Sequence, residues 1–336
     1  MTDARQTTSP DDERADPALA PAATPAPAAS GGWLGSYALL AVMWGCSFAF
    51  IALALDALTP IQVAFWRIAV GAVTLLVIAA VTRTPLPRDA RTLGHLTVLA
   101  LLVNAVPFTL FALGQQSVSS VLAGIINAAT PLMTLLWVAL FFRAERPGPA
   151  RASGLVLGFL GLLVVMGVWH GLGTGQLGGV LACVGAITCY GLGFPYTRKF
   201  LSGTPHPPVA LAAGQIGIAA VVMTPVVLVS GVDPVGDVTT AVLVAVLALG
   251  VLSSGVAFIL NFRVIARAGT TTASSVTYLT PVVAAAVGVL FLGDHVTWNQ
   301  PVGAVVVLLG VAIAQGRLGR LGRGPAGAGR RSPSLR

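Results

Sequence analysis

Between Leu34 and Gln315 the chain alternates long apolar stretches with short polar ones. The apolar stretches run Leu34 to Leu55, Pro60 to Val81, Leu93 to Gln115, Val121 to Phe142, Gly154 to Val168, Leu177 to Tyr196, Val209 to Val229, Ala241 to Phe262, Ala273 to Leu292 and Pro301 to Gln315. A bilayer core of about 30 Å takes roughly 20 helical residues at about 1.5 Å each. The pattern therefore predicts an all-α integral membrane protein with ten transmembrane helices.

Composition agrees with the pattern. Of 336 residues, 56% are hydrophobic and only 9% charged, with a mean hydropathy of +0.88; a soluble globule carries about a quarter charged residues. Residues 1–32, rich in Ala, Pro, Asp and Thr, read as a disordered N-terminal tail without the basic start and apolar core of a signal peptide. Residues 316–336 read as a basic cytoplasmic tail, either lying on anionic lipid headgroups or simply anchoring the topology.

The net charge of +8 changes the picture only through its placement. The basic residues sit in short loops and the tail and form no aromatic-interleaved patch, so nucleic acid is not an expected partner. With the N terminus inside, Arg83, Arg88, Arg91, Arg143, Arg146, Arg151, Arg198, Lys199 and Arg267 all fall in inner loops and none in outer ones. Positive loops stay cytoplasmic, which predicts a multi-pass plasma-membrane protein with both termini in the cytoplasm. Cys46, Cys183 and Cys189 lie in apolar runs without ligand spacing to any histidine; no metal, cofactor or disulfide is expected.

The chain also repeats itself. "NAATPLMTLLWVALFFRAE" parallels "TYLTPVVAAAVGVLFLGD", with Thr130-Pro131 and Thr280-Pro281 150 residues apart. Gly154 and Gly161 recur as Gly303 and Gly310, Pro60 and Arg67 as Pro208 and Gln215, and Trp44-Gly45 as Tyr190-Gly191. Two five-helix halves result, residues 33–169 and 176–315. Five is odd, so the second half enters the bilayer from the opposite side. Such inverted repeats can exchange inward-open and outward-open shapes around a midplane site.

These segments resemble the drug/metabolite transporter superfamily, EamA type. The likeness is carried by "WGCSF", "FWRIAVGAV", "TPLMTLLWVALFFRAER", "GLVLGFLGLLVVMG", "TPVVAAAVGVLFLGD" and "VGAVVVLLGVAIAQG", in this order and spacing. Asp294 departs from the glutamate with which the family usually ends the ninth helix. The resemblance implies ten helices and transport of small metabolites, and leaves open amino acids, nucleobase-like compounds and drugs.

Within that frame a few polar residues stand out. Arg67 lies seven residues into its helix, where a charge is expensive unless it faces protein or water and finds a partner. Its expected partners are Asn127 at matching depth, exposed carbonyls, Asp56 or a substrate carboxylate; a structural clamp on carbonyls competes with these. Pro131 and Pro281 each remove a helix hydrogen bond, freeing the carbonyls of Asn127 and Thr277 beside polar side chains, with Tyr278 adjacent; a packing kink competes. Trp44 and Tyr190 could offer aromatic faces, and Gln215 a neutral counterpart to Arg67. Asn104, Ser253 and Ser254 read as interhelical glue, and Glu145 and Asp294 as interfacial caps.

Gly154 and Gly158 form a small-xxx-small pair serving either an internal contact or a homodimer, leaving monomer and homodimer both open. No helix core carries Asp or Glu, and the four histidines fall at ends or in loops. A proton-exchange carboxylate is therefore missing, and facilitated diffusion or exchange, in the direction of export, is the expectation. A membrane-embedded enzyme would need paired acids, an activated nucleophile or a metal cluster, and a non-transporting membrane scaffold gives no reason for duplication. The sequence thus predicts a transporter whose partners are a small-molecule substrate and membrane lipid, with Trp44, Arg67, Asn127, Tyr190, Gln215, Thr277 and Tyr278 as candidate binding residues.

Overall fold

The computed structural model describes residues 33–141, 149–170, 174–201 and 203–314. The two expected tails, with Arg143, Glu145 and Arg146, lie outside the described residues. Among those described, every regular element is a helix. Eight helices are long and apolar enough to cross a membrane: α1 (Leu34–Ala54), α2 (Pro60–Val81), α3 (Ala90–Gly114), α4 (Ser120–Val138), α6 (Gln176–Phe200), α7 (Pro208–Ser230), α8 (Thr240–Ala268) and α9 (Ser275–Leu292). Two shorter apolar helices, α5 (Ala152–Met166) and α10 (Asn299–Ala314), complete the set. The chain is an all-α membrane protein.

Local sequence explains where these helices begin. In "TPIQ" the Thr59 hydroxyl accepts the Gln62 N–H (3.3 Å) while the Gln62 side chain accepts the Thr59 N–H (2.9 Å), and Pro60 sits where no N–H is needed. Asp89, Ser119 and Thr239 likewise accept the backbone N–H three residues on, at the starts of α3, α4 and α8. Each cap satisfies a donor that lipid could not.

Four helices depart from regular α geometry, and these departures shape the interior. α3 widens into a π-helical stretch at Ala100–Ala105 and α8 into another at Ala248–Val256. α4 stops at Asn127 and restarts at Thr130, while α9 opens with a 3₁₀ turn, Ser275–Tyr278, before its α-helical part begins at Thr280. Each of the last two interruptions precedes a Thr-Pro pair, because a proline has no N–H to give the carbonyl four residues back.

Glycines set the closest helix contacts. A Cβ on Gly161 would fall 2.6 Å from the Val307 nitrogen, and one on Gly154 would fall 2.6 Å from the Gly310 carbonyl oxygen; α5 and α10 therefore touch backbone to backbone along their length. Gly154 is thus used inside the chain, and Gly158 packs there too, beside Leu132 and Gly310. The same device brings α1 onto α9, where a Cβ at Gly45 would lie 3.1 Å from the Thr280 carbonyl oxygen, and α6 onto α4, where one at Gly191 would lie 2.9 Å from the Thr134 nitrogen. Trp44 and Tyr190, the residues before these glycines, are turned by one helical step of about 100° from that contact.

Two large apolar clusters form most of the core, beside a smaller third around Leu40, Ala257 and Val276. One gathers Phe48, Ile51, Phe111, Ile126 and Ile187 with α5 and α10 side chains; the other gathers Ile68, Leu75, Phe108, Ile216 and Phe258. Tyr190 packs against both, and the central cavity opens beside it.

Candidate functional site

A cavity of about 70 Å³ lies between the two clusters, lined by Trp44, Ser47, Phe48, Arg67, Phe108, Phe111, Asn127, Tyr190, Phe258, Asn261 and Thr277, among others. A water needs about 10–15 Å³ of such space, so several waters or a small solute fit. Five of the seven sequence candidates meet here: Trp44, Arg67, Asn127, Tyr190 and Thr277.

The other two are elsewhere. Gln215 lines a smaller neighbouring cavity of about 30 Å³, which shares Val103, Tyr190, Phe194, Phe258 and Asn261 with the first; its Nε2 donates to Asn104 Oδ1 at 2.6 Å. Tyr278 lines neither cavity and packs against the apolar core. Consecutive residues of the 3₁₀ turn diverge by about 120°, so with Thr277 turned to the cavity Tyr278 points away from it.

Arg67 is 5% exposed and its surroundings correct the expected partners. Its Nε donates to Ser254 Oγ at 2.9 Å, and its guanidinium carbon stands 3.7 Å over the centre of the Phe108 ring. Neither Asn127 nor Asp56 is its partner. Ser254 reaches it because α2 and the π-helical stretch of α8 meet at two glycines: a Cβ on Gly71 would lie 3.2 Å from the Gly250 carbonyl oxygen. One turn from that contact, Arg67 and Ser254 face each other.

Sequence reasoning reads Ser254 as interhelical glue and does not pair it with the arginine. No signal in the sequence marks the π-helical turn that presents it.

The two contacts of Arg67, a serine hydroxyl and an aromatic ring, are both uncharged. A hydrogen bond to a charged group contributes about 1.5–3 kcal/mol and a desolvated cation–π contact about 2 kcal/mol. Removing an ion from water costs several kcal/mol even after relaxation. Among the described residues no aspartate or glutamate lines the cavity and no protein group hydrogen-bonds the two terminal guanidinium nitrogens. Water or a solute in the cavity is left to meet those nitrogens.

The Thr-Pro breaks carry a second correction. The carbonyls expected to be free are capped: the Thr130 hydroxyl donates to the Asn127 carbonyl (2.7 Å) and the Thr280 hydroxyl to the Thr277 carbonyl (2.9 Å). The threonine before each proline replaces the donor that the proline lacks. Asn127 Nδ2 also donates to Thr280 Oγ1 at 3.4 Å, so the two interrupted helices join through their breaks.

Around this polar seam the cavity is aromatic. Trp44 meets Phe258 edge-on with ring centroids 6.2 Å apart, and its Nε1 donates to the Ser253 carbonyl at 3.2 Å. Tyr190 lies 6.0 Å from Phe111, which in turn meets Phe48 at 5.4 Å. Apolar walls with a few placed polar groups fit a small organic ligand. Asp294, expected as an interfacial cap, accepts from Ser120 Oγ (2.6 Å) and from the Val121 N–H (3.3 Å) at the start of α4.

Known proteins match this chain over nearly all of its helical part. It is similar to an uncharacterized transporter, YdfC, of Bacillus subtilis, 22% identical across 86% of this chain and 92% of that protein. It is also similar to a WAT1-related chloroplastic protein of Arabidopsis thaliana, 28% identical across 80% of this chain and 66% of that one. Over 41% of this chain and 48% of the relative, it is 29% identical to the threonine/homoserine exporter RhtA of Salmonella typhimurium. A solved crystal structure, 18% identical, shares the fold with a TM-score of 0.62 over 87% of this chain and 99% of its own. The model of the EamA-like transporter family matches twice, at residues 32–167 and 177–315, and the chain therefore belongs to the EamA-like transporter family.

Proposed function

We propose that this transporter carries small carboxylate-bearing metabolites, amino-acid-like ones among them, outward across the plasma membrane by alternating access between two inverted five-helix repeats. In this reading α5 and α10 cross the bilayer with the other eight helices, both termini are cytoplasmic, and residues 33–169 and 176–315 are the repeats. Helix contacts that recur in pairs support it: α1 on α9 and α6 on α4, α1 on α8 and α6 on α3, α2 on the α8 π-helical stretch and α7 on that of α3. α2 on α7 and α5 on α10 pair each helix with its own counterpart. A structure built from mirrored contacts has a second shape of similar energy available to it.

The observation that carries the substrate class is Arg67, a buried cation that lines a cavity with no acid among its described lining residues and whose terminal nitrogens no described protein group hydrogen-bonds. Two parallel N–H donors suit a carboxylate. The threonine/homoserine exporter among the partial relatives supports an amino-acid-like cargo and the outward direction.

Counterflow of a panel of small carboxylic acids into proteoliposomes tests the reading. Arg67→Gln is expected to lose roughly 100-fold in affinity, and Arg67→Lys, which keeps charge but not the fork, about tenfold. Undiminished counterflow by Arg67→Gln overturns it.

A further inference from the structure

We infer that the Asn261 amide donates a hydrogen bond to a further oxygen of the molecule whose carboxylate Arg67 holds. The cargo is then a carboxylate with a second acceptor on it: a carbonyl, an amide oxygen or another carboxylate. The inference deepens the carboxylate reading above and rests on it.

Asn261 lies on α8, one helical turn beyond Phe258, and is 8% exposed. It lines both the central cavity and its smaller neighbour. The two ends of its amide differ. The oxygen is enclosed, whereas the nitrogen Nδ2 is accessible and makes no hydrogen bond to a described residue. What the amide offers the cavities is therefore a donor.

The scaffold does not require an amide at this place. As Ser254 stands 150 residues after Asn104, so Asn261 stands 150 residues after Phe111, which also lines the central cavity. One half has an aromatic ring where the other has the amide. Other polar side chains of the site are used within the protein: Asn127 bonds to Thr280, Trp44 to the Ser253 carbonyl, Ser47 to the Trp44 carbonyl and Gln215 to Asn104. A polar group placed this deep without a protein partner is rare, and calls for an explanation. An acceptor held in the cavity provides one.

The groups left unbonded give the chemistry. The two terminal nitrogens of Arg67 and Nδ2 of Asn261 are donors that no described residue meets. The Tyr190 hydroxyl, which borders both cavities and makes no hydrogen bond to a described residue, can donate or accept. Donors are thus in excess. The Arg67 fork fits both oxygens of one carboxylate, which leaves Asn261 for another oxygen. Among the described residues no acid lines either cavity, so an ammonium would find only the aromatic faces of Trp44, Tyr190 and Phe258. An amino acid meets the requirement through a side-chain oxygen.

The test uses the purified full-length protein in detergent and three matched series of five- and six-carbon acids at neutral pH. One series is unsubstituted, one carries an oxo group and one an amino group, each placed at the 2- or 4-position. Thermal stabilisation gives apparent affinities without requiring transport. At one position or both, wild type is expected to bind the oxo acid about tenfold more tightly than the unsubstituted and the amino acid. Asn261→Leu, close in size and without a donor, should bring the oxo-to-unsubstituted ratio near one while affinity for unsubstituted acids stays within about twofold. Asn261→Ala gives the same ratio should leucine disturb folding.

No oxo preference in wild type, an amino preference in its place, or an oxo preference that survives both substitutions overturns the inference. An equal loss across all three series in those variants also overturns it, since Asn261 would then serve the carboxylate itself or only the packing. Arg67→Gln run beside these variants separates the two readings. If it binds every acid as wild type does, or if no acid stabilises wild type, the carboxylate reading falls and the Asn261 contact falls with it. If Arg67→Gln weakens all three series but the oxo preference survives loss of the amide, only the Asn261 contact fails.

Discussion

Two polar bridges hold corresponding places in the two halves of the chain and differ in one respect. Arg67 of α2 donates to Ser254 in the π-helical stretch of α8, and Gln215 of α7 donates to Asn104 in the π-helical stretch of α3. Donor and acceptor helices, irregular turn and burial all correspond. Only the first bridge is charged, and only the first lines the central cavity. The scaffold alone therefore requires a polar link from a regular helix to a widened one, and a neutral amide pair satisfies it. Charge at Arg67 goes beyond that requirement, at a cost in desolvation that the scaffold need not bear. The difference separates what holds the helices together from what receives a ligand.

Making the two bridges alike should expose that division. Arg67→Gln removes the excess, so the ligand-free protein is expected to keep its thermal stability or gain up to about 2 kcal/mol, even as acid affinity falls roughly 100-fold. Gln215→Leu should do the reverse. It strands the Asn104 amide and lowers stability by about 1–3 kcal/mol, while acid affinity stays within about threefold. Melting curves with and without ligand measure both. A shared loss of stability and affinity in both variants would mean that the bridges do one job.

The helix contacts beneath the bridges sharpen the contrast. Where α2 meets α8 the residues are Gly71 and Gly250; the corresponding positions in α7 and α3 are Ala219 and Ala100, both fully buried. A methyl group on Gly71 would sit 2.9 Å from Ser254 Cβ, pushing away the residue that holds Arg67. Gly71→Ala is expected to cost about 1–3 kcal/mol of stability and to weaken acid binding. Ala219→Gly should cost about 0.5–1 kcal/mol through helix propensity alone and leave binding unchanged.

How much of this can be read from the sequence depends on the kind of signal. Apolar runs, helix caps and Thr-Pro breaks are local, and local chemistry predicts them: the breaks at Asn127 and at Ser275–Tyr278 stand beside Pro131 and Pro281. Arg67 is legible because a charge in an apolar run is conspicuous wherever it faces. Its partner is not, because a serine in an apolar run has many possible roles and the π-helical turn around Ser254 has no proline to announce it. Analogy with Arg67 points Gln215 at the substrate, yet the amide bonds to Asn104 and lines the smaller cavity. Asn261 escapes notice near the end of its run, where a polar residue looks like the edge of the membrane; only its unpartnered burial marks it.

The Thr-Pro breaks differ in load as well. Thr130 spends its one hydroxyl proton on Asn127, at the carbonyl (2.7 Å) with Oδ1 as a second acceptor at 3.4 Å, whereas Thr280 donates to the Thr277 carbonyl and also accepts from Asn127 Nδ2. Valine keeps the shape of threonine and deletes the hydroxyl. Thr130→Val should cost about 1 kcal/mol, and Thr280→Val about 1.5 kcal/mol because two hydrogen bonds end there. Equal losses would mean that the 3.4 Å contact between the breaks carries nothing.

The smallest expected effect lies where the two ends of the bundle differ. At one end the Ala57 carbonyl accepts from the N–H groups of Val235 (2.8 Å) and Gly236 (3.3 Å), and Gln62 donates to the carbonyls of Gly231 and Asp233; no side chain there titrates as part of the clasp. At the other end Asp89 accepts from the Thr92 N–H at 2.8 Å and lies 3.1 Å from His206 Nε2. Hydrogen bonds from Thr92, with a smaller contribution from His206, hold the Asp89 carboxyl down at about 2. A lowered carboxyl stabilises the folded state above its ordinary value near 4, and that contribution is lost as pH falls toward 2. Amide exchange at Thr92 should therefore speed up modestly between about pH 4 and pH 2 relative to Val235, after correction for intrinsic rates. An asparagine caps a helix equally well without titrating, so Asp89→Asn is expected to abolish the difference, and a difference that survives it would place the sensitivity in another group.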